Sequence, residues 1–344
     1  IRTQYPVTMP FLAMYPENTK TLGSDVMFFS YSYTVGNTIM NTEGEDRQIT
    51  KDEVNRGIVI SDFYDKKTNT AIPGFRLYID VESNRHLFRF KYGLGESFEF
   101  GLEQEFITYE GGCCWDTIIE DWHNFMNISN ETDHGNYRAQ IYRSGYDYYV
   151  VKDGEFVIQS SEPFIQVNGD LYSNLKWNLT EGGSFMPAIA VKLSYKFAKT
   201  NRTQEQKLIS SGSSDQGYYL LFSKGFGDYI VYFGEGVSYL KNSGVFSSNL
   251  IHRFTTFEYR INDVNSFIIQ TMSQSSIYPQ IGRIRRTPGQ SISFDPSNST
   301  DASVIGYKGW WLKDWFLEFG FVEDFSQVGN ETDIVIYLES GLKW

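Results

Sequence analysis

From Asp314 to Trp344 the chain alternates by twos. Trp315, Leu317, Phe319 and Phe321 take turns with Phe316, Glu318, Gly320 and Val322. After a polar break at 325–333, Ile334, Ile336, Leu338, Leu342 and Trp344 take turns with Val335, Tyr337, Glu339, Gly341 and Lys343. A period of two sends one set of side chains to each face of a β-strand. One face here is apolar and aromatic, and the other is small, polar or charged. A single hairpin of this kind suits any β-protein, so its weight depends on whether the rest of the chain repeats it.

It does. Alternating runs begin at Met27–Tyr33 and recur at Phe75–Tyr92, Phe98–Phe106, Leu171–Leu179, Pro187–Phe197, Gln216–Ser223 and Tyr229–Leu240. They continue at Phe254–Ile261, Phe267–Gln274 and Ala302–Trp311, and with the closing hairpin they predict about twelve strands. The phase slips between Val81 and Phe88, which predicts a β-bulge near Ser83–His86. Connections alternate in length. Short ones lie at 93–96, 180–183, 224–228, 262–265 and 312–314, and long ones at 36–74, 110–167, 200–215, 241–251, 275–300 and 325–333. Short and long connections alternating around an even number of strands are the pattern of an outer-membrane barrel. Strands of about 9 to 16 residues also suit a tilted membrane strand better than the usual globular strand.

The sequence therefore predicts an all-β fold: a membrane-spanning, antiparallel, up-and-down β-barrel of about twelve strands over 23–344, preceded by a periplasmic or lumenal segment at 1–22. Tyr92, Trp177, Phe226, Tyr229, Trp310, Trp311, Trp315 and Trp344 all fall near the short-turn level, as an aromatic belt at a membrane surface requires. Glu235 breaks the pattern by falling among Val231, Phe233 and Val237; either the strand bulges there or Glu235 lies above the hydrocarbon. The last strand is expected to close the barrel against Met27–Tyr33. A barrel of this kind implies a bacterial outer-membrane location, export with the signal peptide removed so that Ile1 lies near the mature start, and contact with outer-membrane lipids and lipopolysaccharide.

Composition removes several alternatives. Mean hydropathy is −0.36, and no stretch reaches the roughly 18 to 20 apolar residues of a membrane helix. The net charge of −12 argues against nucleic-acid binding, which needs a basic face. Between Glu110 and Val167 ten Asp/Glu face three Lys/Arg, so this one segment carries −7 of that imbalance.

Some stretches resemble a known family. Arg2-Thr-Gln-Tyr-Pro with Pro10-Phe11-Leu12, Tyr92-Gly93-Leu94 followed by Phe98-Glu99-Phe100-Gly101-Leu102, Gly111-Gly112 before an aromatic helix, and Ser211-Gly212 with Asp215 resemble the Gram-negative outer-membrane proteins of domain-of-unknown-function family 3187. The resemblance implies an outer-membrane barrel of unestablished function. The aromatic Trp344 suits recognition by the barrel-assembly machinery, although Phe is commoner there.

The inward face is predicted to carry Arg89, Lys91, Glu99, Glu103, Lys176, Lys192, Lys196, Glu258, Arg260, Lys308, Glu318, Glu339 and Lys343. Two readings follow: a polar pore whose charges select solutes, or an ion-paired, plugged lumen that conducts nothing. Trp115, Ile118, Ile119, Trp122, Phe125 and Met126 recur at helical spacing and predict a short amphipathic helix. Trp115, Ile119 and Trp122 are the constriction candidates on that helix, whose alternative role is to brace a long loop. Residues 1–21, with Pro6, Pro10 and Pro16 among Val7, Met9, Phe11, Leu12 and Met14, are expected to enter the lumen as a plug, with Phe11 as a plug candidate.

Catalysis finds little footing. The chain has no Gly-x-Ser-x-Gly and no His-x-Ser. His86, His123, His134 and His252 lack metal-ligand spacing, and no cofactor or metal is expected. Adjacent Cys113 and Cys114 fit a strained vicinal disulfide in an oxidising compartment, or a free or redox role. Arg283, Arg285 and Arg286 fit lipopolysaccharide phosphates or a solvated loop. Two functions remain: a porin-like channel for passive passage of small solutes, narrowed by the N-terminal segment and the 115–126 helix, or a closed scaffold barrel that presents the acidic 110–167 loop to a protein partner in a surface assembly.

Overall fold

A computed structural model of the chain describes residues 4–41, 49–111, 145–199, 201–279, 299–311, 314–323 and 334–344. Twelve antiparallel strands close into a barrel: β1 (Met27–Asn41), β2 (Phe75–Gly93), β3 (Phe98–Glu110), β6 (Phe164–Thr180), β7 (Ala188–Phe197), β8 (Asp215–Phe226), β9 (Tyr229–Leu240), β10 (Asn249–Arg260), β11 (Asn265–Gln274), β12 (Thr300–Trp311), β13 (Trp315–Glu323) and β14 (Ile334–Lys343). Each pairs with the next, and β1 closes the circuit on β14 from Phe28↔Lys343 to Asn37↔Ile334. The expected closing pair is therefore present, and closure leaves no unpaired edge in the wall.

Among the described residues, two strands lie outside the circuit. β4 (Asp147–Lys152) and β5 (Glu155–Ser160) form a hairpin that pairs with the start of β2, at the long-loop end. The alternation predicts no strand there, because Tyr148, Tyr149, Val150 and Val151 are apolar on both faces and show no period. The turn between them is readable: Asp153 and Gly154 take φ of 50° and 83°, the conformation an Asp-Gly hairpin turn needs. Short helices α1 (Lys51–Asn55) and α2 (Gln204–Ile209) sit in two of the long connections.

The predicted bulge in β2 is absent. β2 runs in unbroken register from Tyr78↔Asn41 to Tyr92↔Met27, and equally against β3. Its odd residues face inward throughout. What changes is the inner environment: Leu77, Ile79 and Val81 pack in an apolar lumenal core with Tyr5, Val7, Met9 and Ile107, whereas Arg89 and Lys91 lie further down among charges. Apolar residues thus switch face because the lumen is filled at one end. The irregularities fall elsewhere: between β3 and β6 at Gln104/Phe106 and Ile107/Tyr109, between β6 and β7 at Asn178/Thr180, and within the β4–β5 hairpin at Val150/Val151. Gly169 sits at the first; a Cβ there would lie 2.5 Å from Glu105 Cγ.

Outward positions are apolar and exposed, including Trp177, Leu193, Phe197, Phe233, Phe257, Ile269, Ile305 and Phe319. So large an exposed apolar belt needs lipid around it. Phe257, Ile269, Ile305, Phe321 and Ile336 form one cross-strand row of the belt. One row nearer the long loops, Thr255, Thr271 and Ser303 replace them, beside a cavity of about 540 Å³. The next row holds Glu235, in register with Arg253 and bonded to its Nε at 2.8 Å. β9 has no bulge, so Glu235 keeps its outward parity, in a row with Arg253, Ser273 and Asp301.

Candidate functional site

The lumen is occupied by the chain's own N-terminal segment. Residues from Tyr5 to Tyr15 are almost entirely buried. The segment leaves the wall at the short-turn end, where Asp25 N–H donates to Gly93 O at 3.1 Å and Thr21 Oγ1 donates to Glu96 O at 2.9 Å. Gly93 leaves room for this passage, since a Cβ there would lie 1.9 Å from Gly23 O. At the far end the Tyr5 and Tyr278 hydroxyls meet at 2.7 Å. Among the described residues the segment forms no ladder with the wall. Pro6, Pro10 and Pro16 carry no N–H, so three fewer donors need partners inside the lumen.

Side chains tie it in place at three levels. Nearest the short turns, Glu17 is held by Lys192 Nζ at 2.5 Å, Lys176 Nζ at 3.1 Å and Lys91 Nζ at 3.5 Å. Glu99 meets Lys91 at 3.1 Å and Lys176 at 3.3 Å, and accepts from Leu22 N–H at 3.0 Å. In the middle, Tyr15 OH donates to Glu103, and its ring lies under Lys192 Nζ at 4.2 Å and Arg89 Cζ at 4.7 Å. Higher still, Lys196 donates to Pro10 O at 2.6 Å while Asp215 accepts from Leu12 N–H at 3.1 Å.

Alternation brings these groups together. Glu99, Lys176 and Lys192 stand opposite one another on β3, β6 and β7, and four residues along each strand Glu103, Tyr172, Lys196 and Asp215 form a parallel row. Lys196 bridges Asp215 at 2.7 Å and Asp170 at 3.5 Å, all three fully buried. Across the lumen Arg89 reaches Glu339 at 2.6 Å, Lys308 reaches Glu258 at 3.2 Å, and Tyr337 OH donates to Glu318 at 2.8 Å. Arg85 pairs with Glu105, which also accepts from Tyr172 OH at 2.9 Å.

Most of the thirteen predicted pore-lining residues therefore face the lumen. Arg260 does not line its interior: it is exposed at the short-turn rim, where it donates to Gly227 O at 2.6 Å. Lys343 lies at the same mouth, over the Trp310 ring at 5.4 Å. Trp310 departs from the predicted belt. It packs on Phe28 and Phe316, both buried inward residues, because its even parity puts it inside with Val304 and Lys308. Phe11 lies in the lumenal core against Phe246 and near Lys196. Trp115, Ile119 and Trp122, with the rest of the 115–126 helix, lie outside the described residues, as do Cys113, Cys114, His123, His134 and Arg283–Arg286. Glu17 is a site residue that sequence reasoning misses. Its one signal is that it is the sole charge between Arg2 and Lys20.

A family model for a protein of unknown function, DUF3187, matches residues 74–344. The chain belongs to the DUF3187 family. The matched span holds β2 to β14, and so every wall residue of the Glu17 cage. Among solved structures, the COG4313 outer membrane channel from Pseudomonas putida F1 aligns with a TM-score of 0.56 at 10% identity, over 96% of this chain and 100% of that one. At such identity the likeness bears on fold alone, and the fold it shares is a barrel of the outer-membrane type. The P. putida toluene transporter TodX aligns with a TM-score of 0.39 at 8% identity, over 100% of this chain and 98% of that one. The translocator domain of the autotransporter NalP from Neisseria meningitidis gives 0.42 at 6%, over 94% and 89%. No protein of curated function matches the DUF3187 barrel.

Proposed function

We propose that this DUF3187 barrel is a bacterial outer-membrane channel for passive passage of small solutes, closed in the described state by residues 4–22. The observation that carries the reading is the way the segment is held. The wall closes through twelve paired strands without it, and the segment's ties within the lumen are hydrogen bonds, ion pairs and apolar packing rather than a strand ladder. It can withdraw while every wall pairing stays intact. The apolar belt then sits in outer-membrane lipid, with the long loops toward lipopolysaccharide and the short turns in the periplasm.

A second reading is a closed scaffold that presents 110–167 to a protein partner. It draws support from wall pairs that neutralise themselves without the segment, namely Arg85–Glu105, Arg89–Glu339 and Lys308–Glu258. Planar-bilayer recording separates the two. Deleting 4–18 is expected to convert a mostly closed wild-type barrel into a steadily conducting one. If wild type, this deletion and a further deletion of 115–126 all fail to conduct, the channel reading falls. A stable partner co-purifying through 110–167 would then favour the scaffold.

A further inference from the structure

The charges around Glu17 do not balance without it. The wall supplies three ammonium groups at this level, Lys91, Lys176 and Lys192, and one carboxylate, Glu99, which reaches Lys91 and Lys176. Among the described residues the one carboxylate within ion-pair distance of Lys192 is Glu17. The Lys176 and Lys192 side chains are each 4% exposed. That burial holds with the segment in place; once Glu17 leaves, three clustered ammonium groups face the single carboxylate of Glu99, and their mutual repulsion favours another anion in its place.

We infer that the Lys91–Lys176–Lys192 cage binds a small anion bearing a carboxylate or a phosphate, and that Glu17 holds that anion's place while the barrel is closed. The inference rests on the channel reading for its route of access. Lys196, on the same strand as Lys192, supplies the contrast. It has wall partners of its own in Asp170 and Asp215 and stays neutralised whether or not the segment is present. The wall thus balances its lysine at one level and leaves a surplus of positive charge at the next. The geometry suits a planar or tetrahedral oxyanion: Glu17 Oε1 takes Lys192, while Oε2 takes Lys176 and Lys91. Two oxygens therefore share three donors, the charge-assisted arrangement that holds carboxylates and phosphates strongly. A cation or neutral solute gains nothing from it.

The test is equilibrium binding to the full-length protein in detergent, followed by calorimetry, with heat-modifiable migration on gels showing that each barrel is closed. Succinate and inorganic phosphate are the probes and choline the control. Glu17→Gln is expected to bind one dianion per barrel about tenfold more tightly than wild type, because an internal competitor is gone. Adding Lys192→Met to Glu17→Gln should abolish the gain, and whichever probe binds tighter identifies the headgroup. Because the amide side chain in Glu17→Gln still fills space, a variant lacking 4–18 should bind at least as tightly as Glu17→Gln. Equal binding by wild type and both variants, an undiminished gain with Lys192→Met, or choline binding as tightly as the dianions overturns the inference. Dianion binding without conductance in any variant would leave the anion site standing and remove the channel. Conductance without such binding would do the reverse.

Discussion

Burial decides what each lumenal ion pair is worth. Lys196, Asp170 and Asp215 are fully enclosed, so Lys196→Met removes the one ammonium in ion-pair contact with both carboxylates among the described residues. Breaking a buried pair costs about 3–5 kcal/mol, and the variant should unfold at clearly lower temperature in a heat-modifiability series. Arg253 and Glu235 form a pair of comparable geometry on the outer face, with side chains 61% and 45% exposed. Arg253→Ala should cost about 0–1 kcal/mol; equal losses in the two variants would show that burial is not what separates them. Lys192, Lys196 and Glu99 are legible as lumenal because parity alone places them. Glu17 is not, since a proline-rich segment has no period to read and its partners come from strands distant in sequence.

Among the elements, the β4–β5 hairpin is the part whose stability should follow pH. Asp147 begins β4, and burial pushes its carboxyl up to about 6, against about 3.9 in an unfolded chain. The folded hairpin therefore holds the proton more tightly. Its contribution to stability is fully present below the unfolded value and is lost as pH rises through about 6. Amide exchange over 147–160, corrected for intrinsic rates, should show more protection at pH about 4.5 than at about 7.5, and Asp147→Asn should remove the difference. Protection that instead rises with pH would contradict the assignment. The barrel strands are legible from alternation because each has one face toward lipid and one toward the lumen. The hairpin is not, having apolar neighbours on both sides. The missing bulge in β2 has the same origin: Leu77, Ile79 and Val81 look out of phase only if the lumen is assumed polar along its whole length.

For the whole molecule, strand count, connection lengths and closure can all be read ahead, because a barrel in lipid must pair every backbone group and must bring its ends to one level. What fills it can be foreseen only in outline. Three prolines among apolar residues mark a segment that avoids water, but where it docks depends on side chains from β2, β3, β6, β7 and β8. In the proposed channel this segment is a removable stopper. Thr19 Oγ1 and Ser223 Oγ lie 2.5 Å apart, one on the segment and one on β8. Cysteines at both positions, in a background with Cys113 and Cys114 replaced by serine, would form a reversible lock. In planar bilayers the oxidised protein should stay closed, and adding reductant to the same membrane should start conductance. Conductance that is the same before and after reduction, with the disulfide shown to have formed, would contradict the account.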